Sequence, residues 1–275
     1  MTAFRRKGQP RVGRAQEVKE RYTYPSRPQE STVLAMNPQV SAESESFYRK
    51  AGWAAITSGV IGIVAYGLLM TAVKTRTGWI DERAFLFFKA HDIGTIFQFL
   101  LLAIVPLGLQ KLSRKTPPGM SKATLAAGVG AILFVALLLL LGIARIVSDG
   151  FYMFPQGVFG VWLIVISWRL LGSLPRWHRW FGMVVGLGLT LVGIAWLGVA
   201  FVYPSMLAIP AVPLQNVVEQ NTLANNIFHH ILYVGSYMGV ATLPIWTILT
   251  GLKLLREKRL DEHATLQEHT ALQEL

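Results

Sequence analysis

Six long apolar runs, separated by polar or proline-rich connections, leave this chain few folds to choose from. A helix needs about 20 apolar residues to cross the hydrocarbon core of a bilayer. The sequence offers Ala51–Val73, Ile93–Gln110, Ala123–Ala144, Phe151–Gly172, Phe181–Val202 and Ile227–Leu252. The second run is the shortest and carries Pro106 near its end. The fourth needs Arg169 to reach back to a headgroup region. A hydrophobic share of 52% with only 15% charged residues sets the chain apart from soluble proteins. The expected fold class is all-α, a polytopic membrane bundle of about six transmembrane helices.

Lys and Arg near span ends mark the cytoplasmic side of a membrane protein. The first 50 residues hold ten of them, and the second-to-third connection carries Lys111, Arg114, Lys115 and Lys122. Arg169, Arg176 and Arg179 flank the fourth-to-fifth connection, and Lys253, Arg256, Lys258 and Arg259 follow the last run. Tyr203–Asn226 has no basic residue, and the third-to-fourth turn has only Arg145 at its edge. Both termini are therefore expected in the cytoplasm, N-in and C-in, in a plasma (inner) membrane. The first-to-second loop disagrees, with Lys74, Arg76, Arg83 and Lys89 only partly offset by Asp81 and Glu82. The net charge of +11 fits anionic lipid headgroups on the cytoplasmic side, because the excess sits beside the spans. No nucleic-acid partner is expected. Zero cysteines exclude disulfides, thiolate metal sites and cysteine nucleophiles. No apolar segment precedes Ala51, so the first span is expected to act as its own insertion signal.

Residues 1–48 read as a basic, largely disordered cytoplasmic arm, either a solvated tail or a segment that binds a protein partner. Residues 49–254 form the six-helix transmembrane domain, and 255–275 a charged cytoplasmic tail expected to be helical. Trp79–Lys89 suits a short helix lying in the outer interface, and Phe151, Tyr152 and Phe154 an aromatic belt on the same side. Pro204, Pro210 and Pro213 argue against a spanning helix and suit a cap over the outer mouth or a plain loop. The pairs Ser58/Gly62, Gly182/Gly186 and Gly235/Gly239 let helices approach closely in lipid. Pro244 should kink the sixth helix.

Ionisable groups near the hydrocarbon are the best pointers to function. With N-in topology, His91 and Asp92 open the second helix at the outer interface, Gln98 lies about 9 Å deeper, and Arg145 and Asp149 reach the same level. His229 and His230 open the sixth helix, and His229, Tyr233 and Ser236 share a face. If helices two, three and six are neighbours, these residues line an outer polar pocket. Imidazole with carboxylate suits Zn²⁺ or a similar divalent ion, with His91, Asp92 and one of His229 or His230 as ligands. No cofactor is predicted outright, and haem is a minor option. The plainer roles are helix capping by Asp92, Asn225 and Asn226, and an Arg145–Asp149 pair.

The segment Phe159–Gly188, FGVWLIVISWRLLGSLPRWHRWFGMVVGLG, resembles the second half of a group of uncharacterised bacterial six-span membrane proteins. In those proteins a span ends in a small-x-LPRW turn and leads into a Gly-rich span. Here the turn is Gly172–Trp177, followed by Gly182, Gly186 and Gly188. The resemblance implies a bacterial inner-membrane protein and supplies no catalytic residues. On its own residues, the LPRW turn ends a helix at Pro175 and anchors a loop with Trp177 and Trp180. The function expected is non-enzymatic: binding or passage of a small ligand at the outer pocket, or service as a membrane subunit or regulator. The alternative is a metal-dependent intramembrane enzyme built on His91, Asp92 and His229 or His230.

Overall fold

The computed structural model describes residues 38–75, 82–113, 119–170, 174–202 and 223–257. The sequence-based readings of the arm over residues 1–37, the Pro-rich 203–222 segment and the 258–275 tail lie outside them. So do Gly172 and Ser173 at the start of the LPRW turn. Every described element is helical: α1 (Pro38–Thr75), α2 (Glu82–Leu102), α3 (Val105–Ser113), α4 (Lys122–Ile143), α5 (Met153–Arg169), α6 (Arg176–Val202) and α7 (Leu223–Gly235), then a last helix over residues 243–257. Six stretches among them are long and apolar enough to cross a membrane: Ser46–Thr75, Arg83–Ser113, Lys122–Ile143, Gly150–Arg169, Arg176–Val202 and Asn226–Glu257.

Three expectations shift. α1 begins at Pro38, so the last eleven residues of the stretch read as arm are helical, with proline at a first-turn position that needs no amide donor. The separate interfacial helix does not form. From Glu82 onward its residues belong to α2, because nothing between Arg83 and His91 breaks the helix. Tyr152 turns inward to a cavity instead of standing with Phe154 in an aromatic belt. The breaks that do occur have local causes. Pro106 lacks an amide hydrogen and crowds the carbonyl four residues back, so the second span changes direction at Ala103–Ile104. Pro244 acts likewise on the sixth span. Just before it, Ser236–Val240 widens into a π-turn closed by the Ala241 amide donating to Ser236 O at 2.9 Å.

α4 has well-defined ends. Ser121 caps its start, with Oγ accepting from the Thr124 amide at 3.1 Å. At its end Arg145 sits in the left-handed region at φ 59°. The Arg145 amide donates to Gly142 O at 2.8 Å and the Ile146 amide to Leu141 O at 2.9 Å, a Schellman closure usually built on glycine.

The six spans form a ring in chain order. α1 packs on α2, α2 on α4, α4 on α5, and α5 on α6. The sixth span lies between α6 and α1. Its centre is filled by Phe99, Phe159, Trp162, Leu163, Leu189 and Trp246, with Phe159 stacked on Trp162 at 5.5 Å and edge-on to Phe99 at 6.4 Å. Glycines set the helix separations. A side chain on Gly157 would meet the Gly193 Cα at 2.8 Å, and one on Gly186 would meet Gly160 O at 2.7 Å. All three small-residue pairs lie on crossings: Ser58/Gly62 faces Gln98 of α2, Gly182/Gly186 faces Ser167 and Gly160 of α5, and Gly235/Gly239 faces Gly188 of α6. Lipid gives helices no hydrophobic incentive to associate, so such close approach supplies the attraction.

Replacing Gly239 by Val drives Cβ into the α6 backbone at Gly188–Leu189, which cannot step aside. We expect a loss of about 1–3 kcal/mol, read as a lower SDS midpoint by circular dichroism. Gly67, which has nothing within 4 Å of its Cβ position, is the control. Gly67→Ala should hold or raise the midpoint, because alanine favours the helix by about 0.5–1 kcal/mol.

Candidate functional site

α2 turns a stripe of polar residues toward the centre of the ring. His91, Thr95 and Gln98 follow i, i+4, i+7 and so share one face. They are 6%, 7% and 5% exposed. Gly94 brings α2 against Ala65 of α1, where an added Cβ would lie 3.2 Å from the Ala65 Cβ. That approach puts Ala65 O within 2.9 Å of His91 Nδ1. A carbonyl can only accept, so Nδ1 carries the proton, and Nε2 is the acceptor of the neutral ring. Thr95 Oγ1 donates to His91 O at 2.8 Å, and Ser58 Oγ donates to Gln98 O at 2.8 Å. Gly62 makes room for the Gln98 amide, since a Cβ there would sit 2.6 Å from Nε2.

These residues border a cavity of about 130 Å³. α1 contributes an apolar wall of Ala65, Leu69 and Met70, with Tyr66 beside them. Gln156 of α5, 3% exposed, enters from the opposite side, and Ser236 enters from the π-turn. No hydrogen bond among the described residues engages the Gln98 or Gln156 side-chain amide. Both residues line the cavity along with His91, and their amides keep some accessible surface, each able to donate and accept.

The expected pocket is only partly this one. His91 and Gln98 line it, but neither opens a helix: His91 is nine residues inside α2. Asp92 is half-buried in mid-helix, so it is not an N-cap. Arg145 is exposed beyond the end of α4, and the helix stops before it, which removes the i, i+4 relation to Asp149. The side chain of Asp149, like that of Asn225, lies outside the described residues. His229 and His230 are exposed in α7, their rings 6.3 Å apart, and neither lines the cavity. Asn226 lies inside α7 and does not cap it. Tyr233 is 58% exposed and packs on Tyr237 at 4.7 Å.

The reason is ring order. The sixth span packs on α6 and α1, while α4 lies across the ring between α2 and α5, so helices two, three and six do not converge. Among the described residues, no group of three or more His, Asp or Glu side chains is placed to hold a metal ion. Thr95, Gln156 and Tyr66 went unflagged in the sequence, although a glutamine within an apolar run is a legible signal. His178 was also missed. It is buried at the other end of the ring, with Nε2 donating to Thr250 Oγ1 at 3.0 Å while Thr250 donates to Trp246 O at 2.9 Å.

No protein-family model, curated protein or solved structure matches the chain. The chemistry of the cavity therefore rests on its own residues.

Ser58→Ala and His91→Phe each remove one interhelical hydrogen bond, worth about 0.6 kcal/mol on average inside a membrane protein and at most about 1.7. We expect small, separable drops in the SDS midpoint. The double variant His229→Ala/His230→Ala should leave that midpoint unchanged, because both rings are exposed.

Proposed function

We propose that this chain is a multi-pass protein of a bacterial inner membrane, with both termini cytoplasmic, that binds a small ligand through a neutral hydrogen-bonding group. The observation that carries the reading is the pair of glutamines, Gln98 and Gln156, that line a cavity of about 130 Å³ with His91 and make no amide hydrogen bond to the described protein. A bound group that both donates and accepts would meet them, each hydrogen bond contributing about 0.5–1.5 kcal/mol. Binding is favoured over passage by the packing beneath the cavity. Phe99, Phe159, Leu163, Leu189 and Trp246 are each at most 1% exposed, and they fill the ring toward its other end. The cavity lies toward the end of the ring away from the basic connections after the second and fourth spans, and under the N-in reading that end, which also carries the first-to-second loop, faces outward. Trp53, Trp168, Trp177 and Trp180 are exposed near the basic end, as interfacial anchors are.

Two measurements test this reading. Native mass spectrometry of gently extracted protein should show an adduct that Gln98→Leu/Gln156→Leu loses while staying folded, since apolar replacements of similar volume leave no amide unsatisfied. An adduct equally present in both proteins overturns the site. Topology is read on the cysteine-free chain with Lys74→Cys and Gln273→Cys. A membrane-impermeant maleimide should label the first on intact cells and the second only after permeabilisation, and the reverse order inverts the orientation.

A further inference from the structure

We infer that the seam between α1 and the Tyr233–Val240 segment is a lateral portal, and that the cavity holds the neutral head of a single-chain amphiphile whose tail remains in the lipid. This rests on the ligand-binding reading above and names the ligand class.

Size comes first. Pockets that enclose a whole drug-sized ligand measure about 300–1,000 Å³. At about 130 Å³ this cavity holds a head and a few carbons, so the rest of a larger ligand must leave through an opening. Charge comes second. The described lining contains no Lys, Arg, Asp or Glu, and its polar groups are two amides, an imidazole and hydroxyls, which match an amide or alcohol better than an ion.

The opening follows from how the sixth span bends. Below Pro244, α1 and the 243–257 helix interlock: a side chain on Gly59 would meet Pro244 O at 2.6 Å, and Gly251 faces Gly52 O at the same distance. Beyond the π-turn, α7 packs on α6 and makes at most marginal contact with α1. The cavity wall there passes from Tyr66, Leu69 and Met70 on one helix to Ser236 and Val240 on the other. Tyr66 lines the cavity on the α1 side of this seam, and Tyr237 and Tyr233, on the turns around Ser236, pack together at 4.7 Å. Tyr237 and Tyr233 are 49% and 58% exposed on the lipid-facing surface. Tyr66 lies nine residues before Thr75, about 13 Å along the helix from the end of its span. Phenols favour the headgroup level. A row of them descending a seam toward buried amides gives a polar head successive partners on its way in from the bilayer.

The full chain in phosphatidylcholine vesicles is irradiated with one of two probes. One is a hexadecanamide carrying a diazirine near its head, confined to the membrane. The other is a water-soluble butanamide carrying the same group. Hexadecanamide should label residues 62–70 and 236–243, falling about tenfold in Gln98→Leu/Gln156→Leu with the loss of one or two hydrogen bonds. Tyr233→Ala/Tyr237→Ala, which removes the two phenols that do not line the cavity, should lower that labelling. Butanamide labelling should not respond to it. Cavity labelling by butanamide alone, or hexadecanamide labelling equal in wild type and Tyr233→Ala/Tyr237→Ala, overturns the portal and leaves the binding site standing. Labelling by neither probe above the Gln98→Leu/Gln156→Leu level overturns both.

Discussion

Close approach of helix backbones at glycines is the interaction on which the rest of this structure depends. In hydrocarbon, burying another leucine gains nothing over lipid, so helices are held by dispersion contacts and a few hydrogen bonds. Contact must then be dense. The α5–α6 seam achieves this through Gly157, Gly160, Gly186 and Gly193, and the α6–sixth-span seam through Gly188, Gly235 and Gly239. Without these positions the ring would widen, and the aromatic fill of Phe99, Phe159, Trp162 and Trp246 would lose the contacts that make its interior solid.

The cavity is a consequence of where that density stops. Pro244 withholds a backbone donor, the preceding turn opens to a π-turn, and the sixth span leaves α1 while staying on α6. Space follows at the parting, and the polar stripe of α2 faces it. Amides that meet no protein partner are costly to hold at membrane depth unless something in the cavity meets them. Their presence beside a bend, and not in the packed half, ties the polarity to the opening. π-turns recur at functional sites for this reason, because they redirect side chains locally without unravelling a helix.

Much of this was legible in the residues. The number of spans, the three small-residue pairs and the effects of Pro106 and Pro244 are local properties: length, side-chain volume and a missing amide hydrogen. The site was half legible. His91 and Gln98 stood out as polar groups at the edge of an apolar run, and both reach the cavity. His229 and Arg145 had the same signature and do not, because periodicity places a residue on a face without saying which neighbour that face meets. His178 shows the converse. Set among Arg176, Trp177, Arg179 and Trp180 it reads as a loop residue, yet it is buried against Thr250 from the far end of the chain.

The sequence by itself determined that the described chain is helical and able to cross a membrane six times. Hydrocarbon leaves the backbone no partner but its own segment, and that rule needs only run length and composition. The tertiary structure alone decided the order of the ring, and with it which polar groups share a space. That order is set by close packing at specific glycines and by the direction the sixth span takes after its π-turn, and both depend on contacts between residues far apart in the chain.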